Sequence, residues 1–428
     1  MGHMNSSSPT HTSSSTHTSS SPGASAPSAS RRRRRALAGA ALAGSLLLTV
    51  GAPAALAVAD TGAASTPASA PARGQAMPPL DTQALRAAIA NLGDPQATAA
   101  QVRVDGSAGR WYGTSGVADL RTKRPVRQDD AFRIGSITKV FVATVVLQLA
   151  AEHKVDLDAP VQRYLPGVLP AGFPPITITH LLNHTSGLPA EKGTPDVSTP
   201  EKVLQHRYDR WTPRQMVSLV SHGTMKFAPG TKQEYRGINY VLAAMVIEKV
   251  TGHAYGDEIG KRIIRPLHLT RTSVPGKDLT IHGPHVHGYL AMSDGTLRDA
   301  TVYDQTEAWG EGEMISTTGD LDRFLSALFS GRLLPAAQLE KMFTLPSGNV
   351  RMVDGTPARY GAGLQTVTVN GVTFWGKTGE RYGYNSAMVA TRDQQRRLVY
   401  SFNPTHRDQS QMKMTLRIAD AATKGKRS

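Results

Sequence analysis

Ser136 and Lys139 stand three residues apart at the head of an apolar run, Val140-Phe-Val-Ala-Thr-Val-Val-Leu-Gln-Leu-Ala-Ala. The run is long enough, and apolar on enough sides, for a buried helix. A serine at its start lies near unpaired backbone N–H groups and the positive end of the helix dipole. A lysine one turn on shares its face, with Cβ atoms roughly 5–6 Å apart. Burying that lysine is costly unless it gives up its charge. A neutral amine beside a hydroxyl is a general base beside a nucleophile. Taken alone, such a tetrapeptide is more often a helix cap and a surface lysine with a buried stem, so the rest of the chain decides.

Two further groups carry chemistry. Phe227-Ala-Pro-Gly230-Thr-Lys-Gln-Glu-Tyr235-Arg-Gly237-Ile-Asn239 places Tyr235 in a loop before a long helix. As a proton relay, a phenol of ordinary pKa about 10 needs cationic neighbours; as packing, it needs none. Trp375-Gly-Lys377-Thr378-Gly379-Glu380 ends a hairpin strand. Lys377 is either a solvated strand-end charge or a second cation that disfavours protonation of Lys139 and attracts an anionic substrate. Gly379 allows a substrate backbone to approach closely, and the amide after it can donate to a developing oxyanion.

The elements that must position these groups are legible in outline. Asp81 caps a helix ending before Gly93. Residues 99–105 and 110–118 form a hairpin turning at Asp105-Gly106. Residues 200–290 read as mostly helical, with the clearest helix from Asn239 to Gly252; another runs from Asp320 to near Gly331. The C-terminal third switches to period two. Tyr360–Val369 and Val372–Lys377 flank Asn370-Gly371, a strong two-residue hairpin signal. Ser386–Thr391 and Arg397–Phe402 follow as strands, and Gln411–Ala422 as a last helix. The economical arrangement is an α+β fold, with one antiparallel sheet built from both ends of the chain, helices flanking it and a helical block inserted between.

Ser136, Lys139, Tyr235 and Lys377-Thr378-Gly379 resemble, in order and wide spacing, the signature of the penicillin-recognising serine hydrolases, in which Ser-x-x-Lys and Lys-Thr-Gly recur. The resemblance covers about residues 80–425. It includes Phe132–Lys139, His184-Thr-Ser-Gly-Leu, the Asn239–Gly252 helix and Ile315-Ser-Thr-Thr-Gly-Asp-Leu. It points to the branch with class C β-lactamases, secreted D-alanyl-D-alanine carboxypeptidases and related esterases, and it implies a β-lactamase-like fold. The α/β part would be about 80–135 and 290–425, and the helical part about 136–289, with Ser136 at their junction. By resemblance, Ser136 attacks a carbonyl after giving its proton to neutral Lys139 and forms an acyl-enzyme. The backbone N–H groups of Ser136 and Glu380 form the oxyanion hole. Tyr235, held by Lys139 and Lys377, protonates the leaving group and then activates water. Lys377 and Thr378 hold a substrate carboxylate.

Three departures bear on the substrate. The resemblance calls for Tyr-x-Asn, but here Gly237 follows Tyr235-Arg236. No amide stands there, and Asn239 is two residues further on. Lys377 replaces the histidine of the most similar carboxypeptidases, and the strand Gly363-Leu-Gln-Thr-Val lacks their carboxylate-binding arginine. Glu380-Arg381 at the rim can meet a charged substrate group, and Trp309 with its glycines can line the pocket or fill core. His180 and His184, and the cluster His282, His285 and His287, invite a metal reading. The first pair belongs to a segment that is structural in the resemblance, and the cluster has no neighbouring carboxylate, so neither metal nor cofactor is expected.

Composition bounds the remaining possibilities. The 428-residue chain has no cysteine, which excludes a disulfide framework, a thiol nucleophile and thiolate metal sites. Residues 1–30 form a Ser/Thr-rich leader with too little apolar content for a core. Arg31 to Arg35, the apolar run to Ala59 and Ala55-Leu56-Ala57 read as a signal peptide, or as an anchor if uncleaved. Residues 60–79 read as a linker. The expected place is secreted or extracytoplasmic, at the cell wall. Without the arginine run the chain still holds 43 bases against 33 acids, which suits an anionic wall or membrane surface. Nucleic-acid signatures are absent. The expected protein is a monomeric exported D-alanyl-D-alanine carboxypeptidase acting on peptidoglycan peptides. An esterase or β-lactamase acting on small esters or β-lactams is the alternative, and a non-catalytic wall- or penicillin-binding protein is the alternative of another class.

Overall fold

The structure, a computed structural model, describes residues 76–93, 96–408 and 410–425. The expected leader and signal peptide, and all but the last residues of the linker, lie outside these.

Helix α1 (Thr82–Ala90) is capped by Asp81, whose carboxylate accepts from the amides of Gln83 and Ala84. Strands β1 (Ala97–Asp105) and β2 (Trp111–Asp119) follow as a hairpin, and β3 (Arg124–Pro125) lies beyond β2. A single 3-10 turn, Gly135–Ile137, carries Ser136 into α2 (Thr138–Ala151). Helix α3 (Ile238–Thr251) ends on Gly252 in the left-handed region, φ 73°, the usual glycine stop. Helix α4 (Thr318–Phe329) is capped by the Thr317 hydroxyl. The chain then returns through β4 (Gln365–Val369), β5 (Val372–Arg381), β6 (Tyr384–Ala390) and β7 (Arg397–Pro404) to α5 (Ser410–Thr423).

These strands form one seven-stranded antiparallel sheet in the order β4-β5-β6-β7-β1-β2-β3, so β7 and β1, from opposite ends of the chain, are central neighbours. The sheet buries both faces. Against one lie α1 and α5, with Leu85, Ile89, Met414 and Ile418 packed on Val102, Phe374, Leu398 and Phe402. The other meets a larger core built around α2 and α3, which α4 joins by stacking Phe324 on Phe141 at 3.8 Å between centroids. Helix α2 has no polar face because it is surrounded: residues 138–147 and Leu149 are all buried. No helix of the described residues is long and apolar enough to cross a membrane.

Two expectations about local structure are corrected. Residues 265–288 are irregular rather than helical. The strand expected from Tyr360 begins only at Gln365. Gly361 and Gly363 bend the chain there, and a side-chain carbon on Gly361 would collide with the Met342 carbonyl. That bend turns Tyr360 out of the sheet and towards the site.

Candidate active site

The turn bearing Ser136 is pressed against β5. Gly135 adopts φ 53°, and a Cβ there would lie 2.5 Å from the backbone nitrogen of Glu380. Gly379 faces the same turn from the strand, and a Cβ on it would overlap the Ile134 carbonyl. The close approach anticipated for a substrate at Gly379 is therefore taken by the protein's own backbone. Ser386 on β6 donates to that carbonyl at 3.2 Å, and the Ile134 amide donates to Met314 O at 3.0 Å. Glycine on both sides thus brings the Ser136 turn against the backbone of Glu380.

Lys139 is 1 % exposed, and its Nζ lies 3.3 Å from Ser136 Oγ. Burial pushes this lysine below the ordinary range. The opposing influence is Glu311, which receives Nζ at its carbonyl (2.8 Å) and at carboxylate Oε2 (2.6 Å). Lys377 is 4 % exposed and donates to Gln365 Oε1 (3.2 Å) and Thr378 O (3.0 Å). Burial, reinforced by Lys139, holds it well below its usual pKa.

Tyr235 lies between the two amines, with Lys139 Nζ 5.1 Å and Lys377 Nζ 4.5 Å from its ring centroid. Its hydroxyl is buried and makes no hydrogen bond to the described residues within 3.5 Å; the Ser136 hydroxyl is near enough to ease its ionisation. Burial and the Glu311 charge nonetheless push its pKa up. Burial thus outweighs the cationic neighbours expected to lower it, and Tyr235 is a protonated phenol. Its ring is boxed by His184 (4.6 Å) and by Tyr360 (5.3 Å, stacked). His184 sits at φ 62° and accepts from the Arg236 amide through Nδ1 at 3.2 Å; burial and the surrounding cations keep it neutral. Gln233 is fully buried and holds Tyr360 at its amide and its carbonyl.

Ser136, Lys139, Tyr235 and Lys377 thus converge, with Thr378 half-buried beside them. Other anticipated positions do something else. Asn239 is fully buried; its Oδ1 accepts from Ser186 Oγ at 2.7 Å and its Nδ2 lies 3.2 Å from His184 Nδ1, so it braces the box rather than meeting substrate. Gly237 offers no open subsite: a Cβ there would lie closer than 3.0 Å to all three carboxyl atoms of Glu311. Trp309 packs edge-on to Tyr255 at 4.8 Å, against the core. At the rim, Arg381 is paired with Glu307 and Glu380 with Arg407. The histidine cluster does have carboxylates, His282 with Asp278 and His287 with Asp299.

Sequence reasoning missed Glu311 and Tyr360. The signal available for Glu311 was indirect: a glycine where an amide was expected, and an acidic residue between Gly310 and Gly312.

The Beta-lactamase family profile matches residues 54–423. The D-stereospecific amidohydrolase of a Streptomyces species is similar at 36 % identity, covering 80 % of this chain and 98 % of its own, with TM-score 0.70. The D-amino acid amidase of Ochrobactrum anthropi SV3 is similar at 26 % identity, 79 % and 98 % coverage and TM-score 0.64. Penicillin-binding protein 4* of Bacillus subtilis is 28 % identical over 309 residues, 68 % of this chain and 65 % of its own length. The chain spans about half to two thirds of such curated penicillin-binding relatives. With a family match across most of its length, a serine and a buried lysine in contact and the antiparallel sheet behind them, the chain belongs to the Beta-lactamase family of serine hydrolases.

Proposed function

We propose that this protein is an exported amidohydrolase that forms an acyl-enzyme on Ser136 with substrates whose acyl part is a D-amino acid. The observation that carries the chemistry is the buried Lys139 Nζ 3.3 Å from Ser136 Oγ, with Tyr235 between two amines. The likeness to the D-stereospecific amidohydrolase and the D-amino acid amidase, each covered to 98 %, supports the substrate class.

In this reading Ser136 Oγ attacks the carbonyl carbon as its proton passes to neutral Lys139. The carbonyl oxygen becomes an oxyanion received by the Ser136 and Glu380 amides. Tyr235 gives its phenolic proton to the leaving nitrogen, the C–N bond breaks, and Lys139 returns the proton to Tyr235. Water repeats the sequence on the ester and frees Ser136. A protonated Tyr235 suits the step because the leaving amine needs a proton.

The expected D-alanyl-D-alanine carboxypeptidase is the second reading. Lys377-Thr378-Gly379 favours it, since the resemblance assigns Lys377 and Thr378 to a substrate carboxylate. The deciding experiment compares release of ammonia from D-alanine amide with release of D-alanine from a D-alanyl-D-alanine peptide, with a short-chain ester and a cephalosporin as controls. Faster peptide cleavage would select the second reading. A Ser136→Ala variant that kept its turnover would end both.

A further inference from the structure

Glu311 belongs to a loop held on both sides. Ahead of it, Glu307 pairs with Arg381. Behind it, Glu313 Oε1 accepts from the Tyr255 hydroxyl and from the Gly310 amide. The Glu311 and Gly312 amides both donate to Ala308 O, at 3.0 and 2.8 Å. The carboxylate is thereby delivered into the site rather than left on the surface.

Gly237 is matched to it. Its φ of −65° and ψ of −43° are ordinary for any residue, so backbone conformation does not call for glycine there. Space does, because any side chain would occupy the carboxylate's position. The resemblance puts a neutral amide after Tyr-x; this chain clears that position and brings in an anion from a residue 172 positions away from Lys139.

The anion is only half used. Oε2 receives Lys139, whereas no hydrogen bond from the described residues reaches Oε1, and a fifth of the side chain remains exposed. The other nearby cations are engaged elsewhere: Arg381 by Glu307, and Lys377 by Gln365 Oε1 and Thr378 O. Oε1 is thus left free to receive a cation beside the nucleophile.

We propose that Glu311 is a specificity-determining residue that receives the ammonium group of a substrate bearing a free amine on the carbon next to the scissile carbonyl. The inference rests on the acyl-enzyme reading of Ser136. The bound ammonium competes with Lys139 for the carboxylate, so any proton left on Lys139 passes to bulk water. The correct substrate thus helps to free its own general base.

The test compares kcat/KM for D-alanine amide and N-acetyl-D-alanine amide in the wild-type protein and in Glu311→Gln. The wild type should prefer the free amine by at least roughly tenfold, since a site built to bind a polar group rejects analogues lacking it. Glu311→Gln should bring the ratio close to one, mainly by slowing the free-amine substrate. A wild-type ratio near one, or equal losses on both substrates, overturns the proposal and leaves Glu311 as a positioning residue for Lys139. Should turnover be undetectable, calorimetric binding of the two amides to Ser136→Ala is judged by the same ratio. Labelling by a fluorophosphonate, read by intact mass, separates the two failures. An unlabelled Ser136 refutes the acyl-enzyme reading, whereas a labelled Ser136 with no amine preference refutes only the role of Glu311.

Discussion

Replacing Gly237 by alanine probes the pairing at the centre of this site with a single carbon. The backbone accepts alanine at φ −65°, and the atoms in the way are the far end of a flexible side chain, so the variant should fold. To reach ordinary contact at 3.4 Å the Glu311 carboxylate must retreat by roughly 1 Å. Its 2.6 Å contact with Lys139 Nζ then opens beyond hydrogen-bonding distance. A charge-assisted hydrogen bond of this kind is worth about 1.5–3 kcal/mol, or roughly ten- to a hundredfold in the balance between protonated and neutral lysine. The sign follows from the charge. A carboxylate favours the ammonium form, so moving it away extends the neutral, basic form of Lys139 to lower pH. The assay is kcat/KM against pH for a neutral short-chain ester, whose acid limb reports the base of the free enzyme. The limb should move to lower pH in Gly237→Ala. In a Glu311→Ala background the same substitution should leave the limb in place, and should stabilise the fold by about 0.4–1 kcal/mol through the unfolded chain. An unmoved limb, or the same shift without the carboxylate, would refute the coupling.

Three further outcomes follow from the same geometry. Tyr235→Phe removes a buried hydroxyl that makes no hydrogen bond to the described residues. It should leave the melting temperature unchanged or raised while turnover falls roughly a hundred- to ten-thousandfold; unchanged turnover would exclude the relay. Glu313 lies buried with its carboxyl pushed up to about 7, so the folded state holds its proton more tightly than the unfolded one. That contribution is complete below the unfolded value near 4.5 and is lost as pH rises through about 7, in all about 3 kcal/mol. Glu313→Gln should therefore flatten this loss in denaturant titrations between pH 5 and 8. Gly379→Ala sets a methyl group against the Ile134 carbonyl, which is backbone and cannot swing aside. Loss of more than about 2 kcal/mol of stability is expected, and a variant as stable as the wild type would contradict the packing of β5 on the Ser136 turn.

Much of this molecule was legible in residue order because the governing physics is local. Asn370-Gly371 supplies the two positive φ angles, 50° and 77°, of a tight hairpin. An apolar run without a polar face announced that α2 is surrounded, and a Ser-x-x-Lys at its head placed the hydroxyl and the amine within reach. The order of the elements was enough to join both chain ends in one sheet. Tertiary structure decided what kind of site this is. Glu311 meets Lys139 across 172 residues, and no periodicity or cap records where a loop carboxylate will finish. Gly379 read as room for a substrate, and only the packing of the turn on β5 showed that the room belongs to Ile134. Tyr360 read as a strand residue until the glycines after it bent the chain. The ionisation of Tyr235 was set the same way, since burial raises a phenol whatever its neighbours in sequence, and burial is a property of the assembled fold.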